Sequence, residues 1–172
     1  MMLAKPNTGD IPCIVQMIDD AREVMRQMGI DQWQGGASHP GRKDIENDIV
    51  NGNCYVVRDD DGVVGYAVLD FETDPVYDGF KGKWLATEKK YGTIRRIVTC
   101  GRAKRHGVAT RMVNAFQMFC AQDGVKSLRL YTHIDNRPMC GLAEKLGFKN
   151  VGTVYLSDGA ARVMYEKKLP PL

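Results

Sequence analysis

The chain has 172 residues, of which 44% are hydrophobic and 26% charged, the balance of a globular protein rather than a disordered one. Its net charge is only +3 and its 24 Lys and Arg are spread out, so a nucleic-acid partner is not expected. No apolar run approaches the ~18 residues of a spanning helix, and residues 1–10 show no leader pattern. The expectation is one domain over residues 1–172, cytoplasmic and without a membrane partner.

A short strand is expected at residues 2–5. Ile11, Ile14, Val15, Ile18, Ala21, Met25 and Met28 recur at helical spacing, which predicts an amphipathic helix over 8–28, with Pro12 in its first turn and Gly29 as its stop. A polar, Gly-rich connection (31–42) holds Trp33 between two glutamines, and a short helix over 44–51 ends at Gly52. Strand-like runs at 53–58 and 63–71 flank Asp59-Asp60-Asp61-Gly62, a hairpin signal. Residues 72–91 read as an irregular excursion broken by Asp74-Pro75, Gly79 and Gly82. A strand over 93–99 and a helix over 108–122 follow, then a strand over 125–133 whose buried face stays open. A short helix over 137–146 and a last hairpin (148–155 and 161–169) complete the order β-α-α-β-β-β-α-β-α-β-β. The unit over 93–133 requires a right-handed crossover and a parallel pair, and the hairpins require antiparallel ones, so the fold class is mixed α/β.

The five cysteines are widely spaced and lack a C-x-x-C pair, and His39, His106 and His133 have no ligand spacing to one another. Buried reduced thiols and no metal are expected. The informative stretch lies after the 93–99 strand, where a basic loop (Arg102, Lys104, Arg105, His106) opens a helix at Gly107. Free amides and the helix dipole at such a start make an anion site, and a glycine lets a phosphate approach the backbone. An ordinary helix start in a basic loop reads equally well from the residues alone.

Lys104-Arg105-His106-Gly107-Val108-Ala109 resembles the Gln/Arg-x-x-Gly-x-Gly/Ala signature of the GNAT superfamily of acyl-CoA-dependent N-acetyltransferases, with Lys at its first position. Asn136, Leu142 and Leu146-Gly147-Phe148 match its second hallmark, and the element order agrees over nearly the whole chain. The segments Gly29-Ile-Asp-Gln-Trp-Gln and Tyr155-Leu-Ser-Asp-Gly resemble a bacterial branch of mostly unassigned substrates. The resemblance implies a mixed sheet with a central splayed parallel strand pair, flanking helices and a terminal β-hairpin. It implies acetyl-CoA as cosubstrate, its pantetheine arm paired with the backbone of Ile97, Val98 and Thr99. The pyrophosphate would sit on Lys104, Arg105, His106, Gly107, Val108, Ala109 and Thr110, with Asn136 and Met139 beside the arm. The implied reaction is acetyl transfer to a primary amine of a small molecule or peptide, by direct attack in a ternary complex, with a homodimer as family habit. The alternative is an acyl-CoA-binding or regulatory GNAT-like protein without catalysis.

An acceptor amine with a pKa near ~10.4 needs a proton acceptor before it can attack. The family's usual acid, a tyrosine, falls on Ala143 here, and residues 93–99 contain no Asp or Glu. Tyr131 and His133, near the end of the 125–133 strand, are the substitutes, with Asp70 and Glu88 as further carboxylates. No Cys–His–carboxylate spacing argues for a covalent route, which Cys100 and Cys140 keep open only as a lesser alternative. Trp33 and Trp84, on the two irregular connections, are expected either to wall the acceptor site or to cap the core. The tip Ser157-Asp158-Gly159 is either a plain turn or reaches a dimer partner's site.

Overall fold

The computed structural model describes residues 1–35 and 40–171; His39 lies outside the described residues. Strand β1 (Met2–Ala4) leads to a 3-10 turn (Thr8–Asp10), where Asn7 and Asp10 cap each other's backbone amides, and then to α1 (Ile11–Gln27). Helix α2 (Arg42–Asn51) ends on Gly52 and is followed by the hairpin β2 (Cys54–Asp59) and β3 (Gly62–Asp70). A 3-10 turn (Pro75–Gly79) and the two-residue β4 (Lys81–Gly82) follow, then β5 (Gly92–Thr99), a 3-10 turn (Gly101–Ala103), α3 (Val108–Gln122) and β6 (Ser127–Thr132). Helix α4 (Arg137–Lys145) and the hairpin β7 (Lys149–Tyr155) and β8 (Ala161–Lys168) end the chain. β4 corrects the expectation of a wholly irregular excursion: two residues are too few to show a period, and only pairing with β7 makes them a strand.

All eight strands form one sheet in the order β1-β2-β3-β5-β6-β8-β7-β4, antiparallel except for β5 and β6. That parallel pair is joined only at Gly92–Leu128 and Thr93–Arg129; beyond Thr93 the strands part. The splayed pair is the GNAT-like arrangement.

Two apolar clusters lie on the two sheet faces. One holds Ile94, Leu128, Leu130, Val163 and Tyr165 under Val108, Met112 and Phe116 of α3 and Ala143 of α4. The other holds Val56, Tyr66, Val68 and Val98 under α1, Ile45 of α2, and Trp33. The open question about β6 is thereby settled: Leu128 and Leu130 face α3, so Arg129 and Tyr131 face the other way.

Between Tyr66–Val98 and Val68–Arg95 the register of β3 and β5 slips, one residue of β3 opposing two of β5. Arg96 takes up the extra residue with a left-handed φ of 49°. Ile94 and Ile97 pack with the α3 cluster, so the bulge turns two consecutive arginines, Arg95 and Arg96, to the α1–α2 side.

Gly65 of β3 sets how closely α3 can approach. A Cβ there would stand 2.5 Å from Val108 Cγ1 and 3.0 Å from Met112 Cε. Val108 is β-branched and buried and cannot swing away. Gly65→Ala should therefore push the start of α3 outward and cost about 1–3 kcal/mol. A thermal melt should show Tm lower by roughly 2–12 °C, with the change centred on residues 101–112 in hydrogen exchange.

Candidate active site

The parting of β5 and β6 opens a cleft of about 220 Å³. Ile94, Ile97, Leu130 and Met139 line its apolar part, and Arg95, Arg96, Tyr131, Thr132, Asn136 and Arg162 its polar part. Met25, Gln32, Trp33, Pro40, Asp44 and Leu156 close it from the α1–α2 connection and the β7–β8 hairpin.

Past Thr99 the chain leaving β5 runs through the basic turn into α3. Arg105 (φ 68°) and Gly107 (φ 77°) are both left-handed. For Gly107 this is the conformation that glycine alone adopts without strain. The first bond into the α3 ladder runs from Arg111 N–H to Gly107 O (2.9 Å), so the amides of Val108, Ala109 and Thr110 precede it. Residues 100–111 contain no carboxylate. Lys104, Arg105 and His106 are exposed, whereas Arg102 is held by Asp59 at 2.6 Å.

Three buried ion pairs shape the polar wall. Asp48 of α2 accepts from Arg96 Nε (2.9 Å) and Nη2 (2.5 Å) and from the Tyr66 hydroxyl (2.5 Å). Arg95 lies against Asp74 (2.8 Å) and Asp70 (3.3 Å). Tyr131 donates its hydroxyl to the same Asp74 (3.2 Å). Burial first, and then the charge of Asp74, push the Tyr131 phenol up to about 12, so it keeps its proton through the neutral range. Of the candidate carboxylates, Asp70 is committed to Arg95, and Glu88 sits at the surface near Lys126.

His133 does not line this cleft. Its Nδ1 accepts from Asp135 N–H (3.0 Å), its Nε2 lies 3.6 Å from Asp31, and its backbone N–H donates to Gln32 Oε1 (3.3 Å). The turn into α4 uses the ring as a local acceptor. Asn136 caps α4 by accepting from Met139 N–H (3.3 Å) and also lines the cleft.

Trp33 also combines two roles, being 9% exposed within the α1 cluster and part of the cleft wall. Trp84 does not line this cleft and takes the covering place that was the other reading of it. It stacks on Phe80 (3.9 Å between centroids) and covers the buried Arg129 guanidinium (3.6 Å), which Tyr77 and Tyr91 also face. Of the cysteines, Cys54 and Cys120 are buried, with burial first raising their thiols to about 11 and about 12. Cys13 is exposed, contrary to expectation, and Cys140 donates its thiol to the carbonyls of His133 and Ile134.

The sequence matches the family described as Acetyltransferase (GNAT) family over residues 19–148. The chain belongs to the GNAT acetyltransferase family. A GNAT-family acetyltransferase of known structure from Streptococcus agalactiae is 30% identical, with a TM-score of 0.87 over 98% of this chain and 95% of that one. A GNAT-family acetyltransferase from Listeria monocytogenes (18% identity, TM-score 0.71, 98% and 94% covered) shares the fold. So does the ribosomal-protein-S18-alanine N-acetyltransferase of Escherichia coli (13% identity, TM-score 0.67, 99% and 95% covered). A comparison with curated proteins found no match.

Sequence reasoning missed several residues that build this GNAT site. Gln32 Oε1 accepts from Thr132 Oγ1 (3.1 Å), His133 N–H (3.3 Å) and Asn136 Nδ2 (3.1 Å), tying the α1–α2 connection to the end of β6. Its one local signal is its place beside Trp33. The paired arginines inside a strand signalled buried carboxylate partners, but not which ones. Gln32→Ala should free the segment 132–136 at a cost of about 1–3 kcal/mol, because three donors lose one acceptor. Faster amide exchange at His133 and Asn136 than at α1 checks this, and equal acceleration throughout the chain would refute it.

Proposed function

We propose that the protein transfers the acetyl group of acetyl-CoA to a primary amine of a small molecule or peptide, by direct attack in a ternary complex. The observation that carries this reading is the cleft between β5 and β6, together with the basic turn into which the cleft-lining β5 leads. The turn suits a diphosphate: two left-handed residues, amides ahead of the helix ladder, free cations and no carboxylate. Lys104 to Thr110 would hold the pyrophosphate. Beyond Thr93 the backbone of β5 bonds to β3 alone, leaving the edge of Ile97, Val98 and Thr99 for the pantetheine arm, beside Asn136 and Met139.

Acetyl-CoA, when bound, supplies an activated acyl group as a thioester; the acceptor ammonium first gives up a proton to water, the C–N bond forms as the C–S bond breaks, and the second proton lost from nitrogen passes to solvent. The leaving thiolate, with a parent thiol near ~8.5, takes its proton from solvent and needs no strong acid, in keeping with Ala143 at the usual tyrosine position. Tyr131 works on the amine instead. Its own hydrogen is committed to Asp74, so its oxygen offers lone pairs to an N–H in the cleft and orients the nitrogen for attack. Trp33 forms the apolar wall against the acceptor.

Saturating acetyl-CoA (about 100 times its Kd) should raise Tm by roughly 5–11 °C. The exposed pair Lys104→Glu/Arg105→Glu should leave the unliganded Tm within about 2 °C and weaken acetyl-CoA roughly tenfold or more. An undiminished shift in that variant would place the cosubstrate elsewhere.

Tyr131→Phe separates transfer from binding. Its acetyl-CoA shift should match the wild type, while kcat/KM for amines, read as CoA release, falls roughly 10–100-fold for loss of one positioning hydrogen bond. Unchanged amine kinetics would remove Tyr131 from the mechanism. A full acetyl-CoA shift with no transfer to any amine would favour the binding-only alternative.

A further inference from the structure

The acceptor side of the cleft carries three arginines, and they are not equivalent. Arg96 is clamped by Asp48 through two hydrogen bonds, and Arg95 is flanked by Asp70 and Asp74 at 2.8–3.3 Å, although its buried Nε makes no hydrogen bond among the described residues. The Arg162 side chain is just 5% exposed, yet it lines the same cleft as Tyr131 and Trp33. Its Nη1 donates to Ala161 O (2.9 Å). Its Nη2 lies 3.7 Å from a carboxylate oxygen of Asp31, beyond hydrogen-bond distance, and Asp31 is 72% exposed. Burial works against the charge of all three. Facing groups more than offset it for Arg95 (Tyr131, Asp74, Asp70) and Arg96 (Asp48), whose pKa values are raised. For Arg162 burial outweighs Asp31 and Asp158, and its pKa is lowered. A guanidinium left this way is a buried cation with fork donors facing a cavity, and an incoming anion would complete its neutralisation.

We propose that Arg162 reads a carboxylate on the acceptor, so that the substrate class is a small amine that also bears a carboxylate. The geometry favours it in three ways. Arg162 alternates with Met164 and Glu166 on the face of β8 opposite Val163 and Tyr165, which places it on the same side as Tyr131 of β6. An acceptor held at one end by the guanidinium and at its nitrogen by the Tyr131 oxygen is thereby fixed at two points. The cleft, about 220 Å³, lies below the roughly 300–1,000 Å³ of drug-sized sites and suits a small molecule. A planar two-oxygen anion matches the guanidinium fork. Asp31, exposed at the surface, competes for the same cation and yields to the substrate.

This inference rests on the acetyl-transfer reading, and its test keeps the two apart. Initial rates of CoA release are measured for the twenty amino acids and for matched decarboxylated amines: leucine with 3-methylbutylamine, phenylalanine with phenethylamine, lysine with cadaverine. O-phosphoethanolamine against ethanolamine tests for a phosphate in place of the carboxylate. The wild type should prefer a carboxylate-bearing member, and Arg162→Gln should raise its KM roughly 10–100-fold, collapsing the preference. Arg162→Lys, which keeps the charge but not the fork, should fall between. Asp31→Asn, at the surface, should move KM the opposite way, downward, because it removes the competitor; a structural role for Arg162 would not produce that sign. Preference for the decarboxylated members, equal loss across each pair in Arg162→Gln, a raised or unchanged KM in Asp31→Asn, or preference for the phosphate compound would each overturn the proposal. If no amine is acetylated, calorimetric titration of the same pairs into the full chain, with and without CoA, decides it. Carboxylate-dependent binding lost in Arg162→Gln supports the proposal and its absence refutes it, while the acetyl-CoA shift in Tm reports separately on the transfer reading.

Discussion

Asp48 sits buried on α2 beneath β5, and the geometry of the site depends on what it holds. Its carboxylate accepts from Tyr66 on one strand and from Nε and Nη2 of Arg96 on the next. Arg96 can reach it only because β5 bulges there, with a left-handed residue that an ordinary strand would exclude. A buried pair of this kind adds less to net stability than to uniqueness: any register that separated Arg96 from Asp48 would leave a buried charge unpaired, at several kcal/mol. The bulge in turn puts Arg95 on the same side as Arg96 and leaves β5 joined to β6 by two residue pairs only. Cleft, polar wall and exposed strand edge all follow from that one local irregularity.

The same logic anchors the two long connections that frame the site. Residues 71–91 are held by Arg129, which lies beneath Trp84 and Tyr91, and by Glu166, which accepts from Leu85 N–H (2.5 Å) and Ser127 Oγ (2.5 Å). The α1–α2 connection is held by Gln32 on one side and by Arg22 on the other, whose guanidinium donates to the carbonyls of Trp33 (2.9 Å) and Pro40. Loops with few apolar contacts would open easily. Here polar partners, buried for Arg129 and Glu166 and half-buried for Gln32 and Arg22, give them the precision that a binding wall needs, since each partner is costly to leave unsatisfied. Asp74 joins the two themes, capping its own 3-10 turn through Val76 N–H while facing Arg95 and Tyr131.

Much of this was legible in the residues themselves. Helical spacing in α1 and α3, the stops at Gly29, Gly52 and Gly124, the hairpin at residues 59–62 and the basic turn into α3 are local facts, since period, caps and turn chemistry act over a few residues. Those facts, with the motif around Gly107, were enough to reach the fold class and the family. What stayed hidden depends on residues far apart in the chain. β4 exists only because β7 lies beside it, and Trp84 turned inward because Arg129 needed covering. His133 is spent on a turn, Tyr131 faces the cleft because β6 presents Leu128 and Leu130 to α3, and Gln32 reaches residues about a hundred positions away. Above all, no sequence pattern distinguishes Arg162 from Arg95 and Arg96. Charge is a property of the residue, but whether a charge is neutralised is a property of what the fold packs against it, and only the tertiary structure decides that.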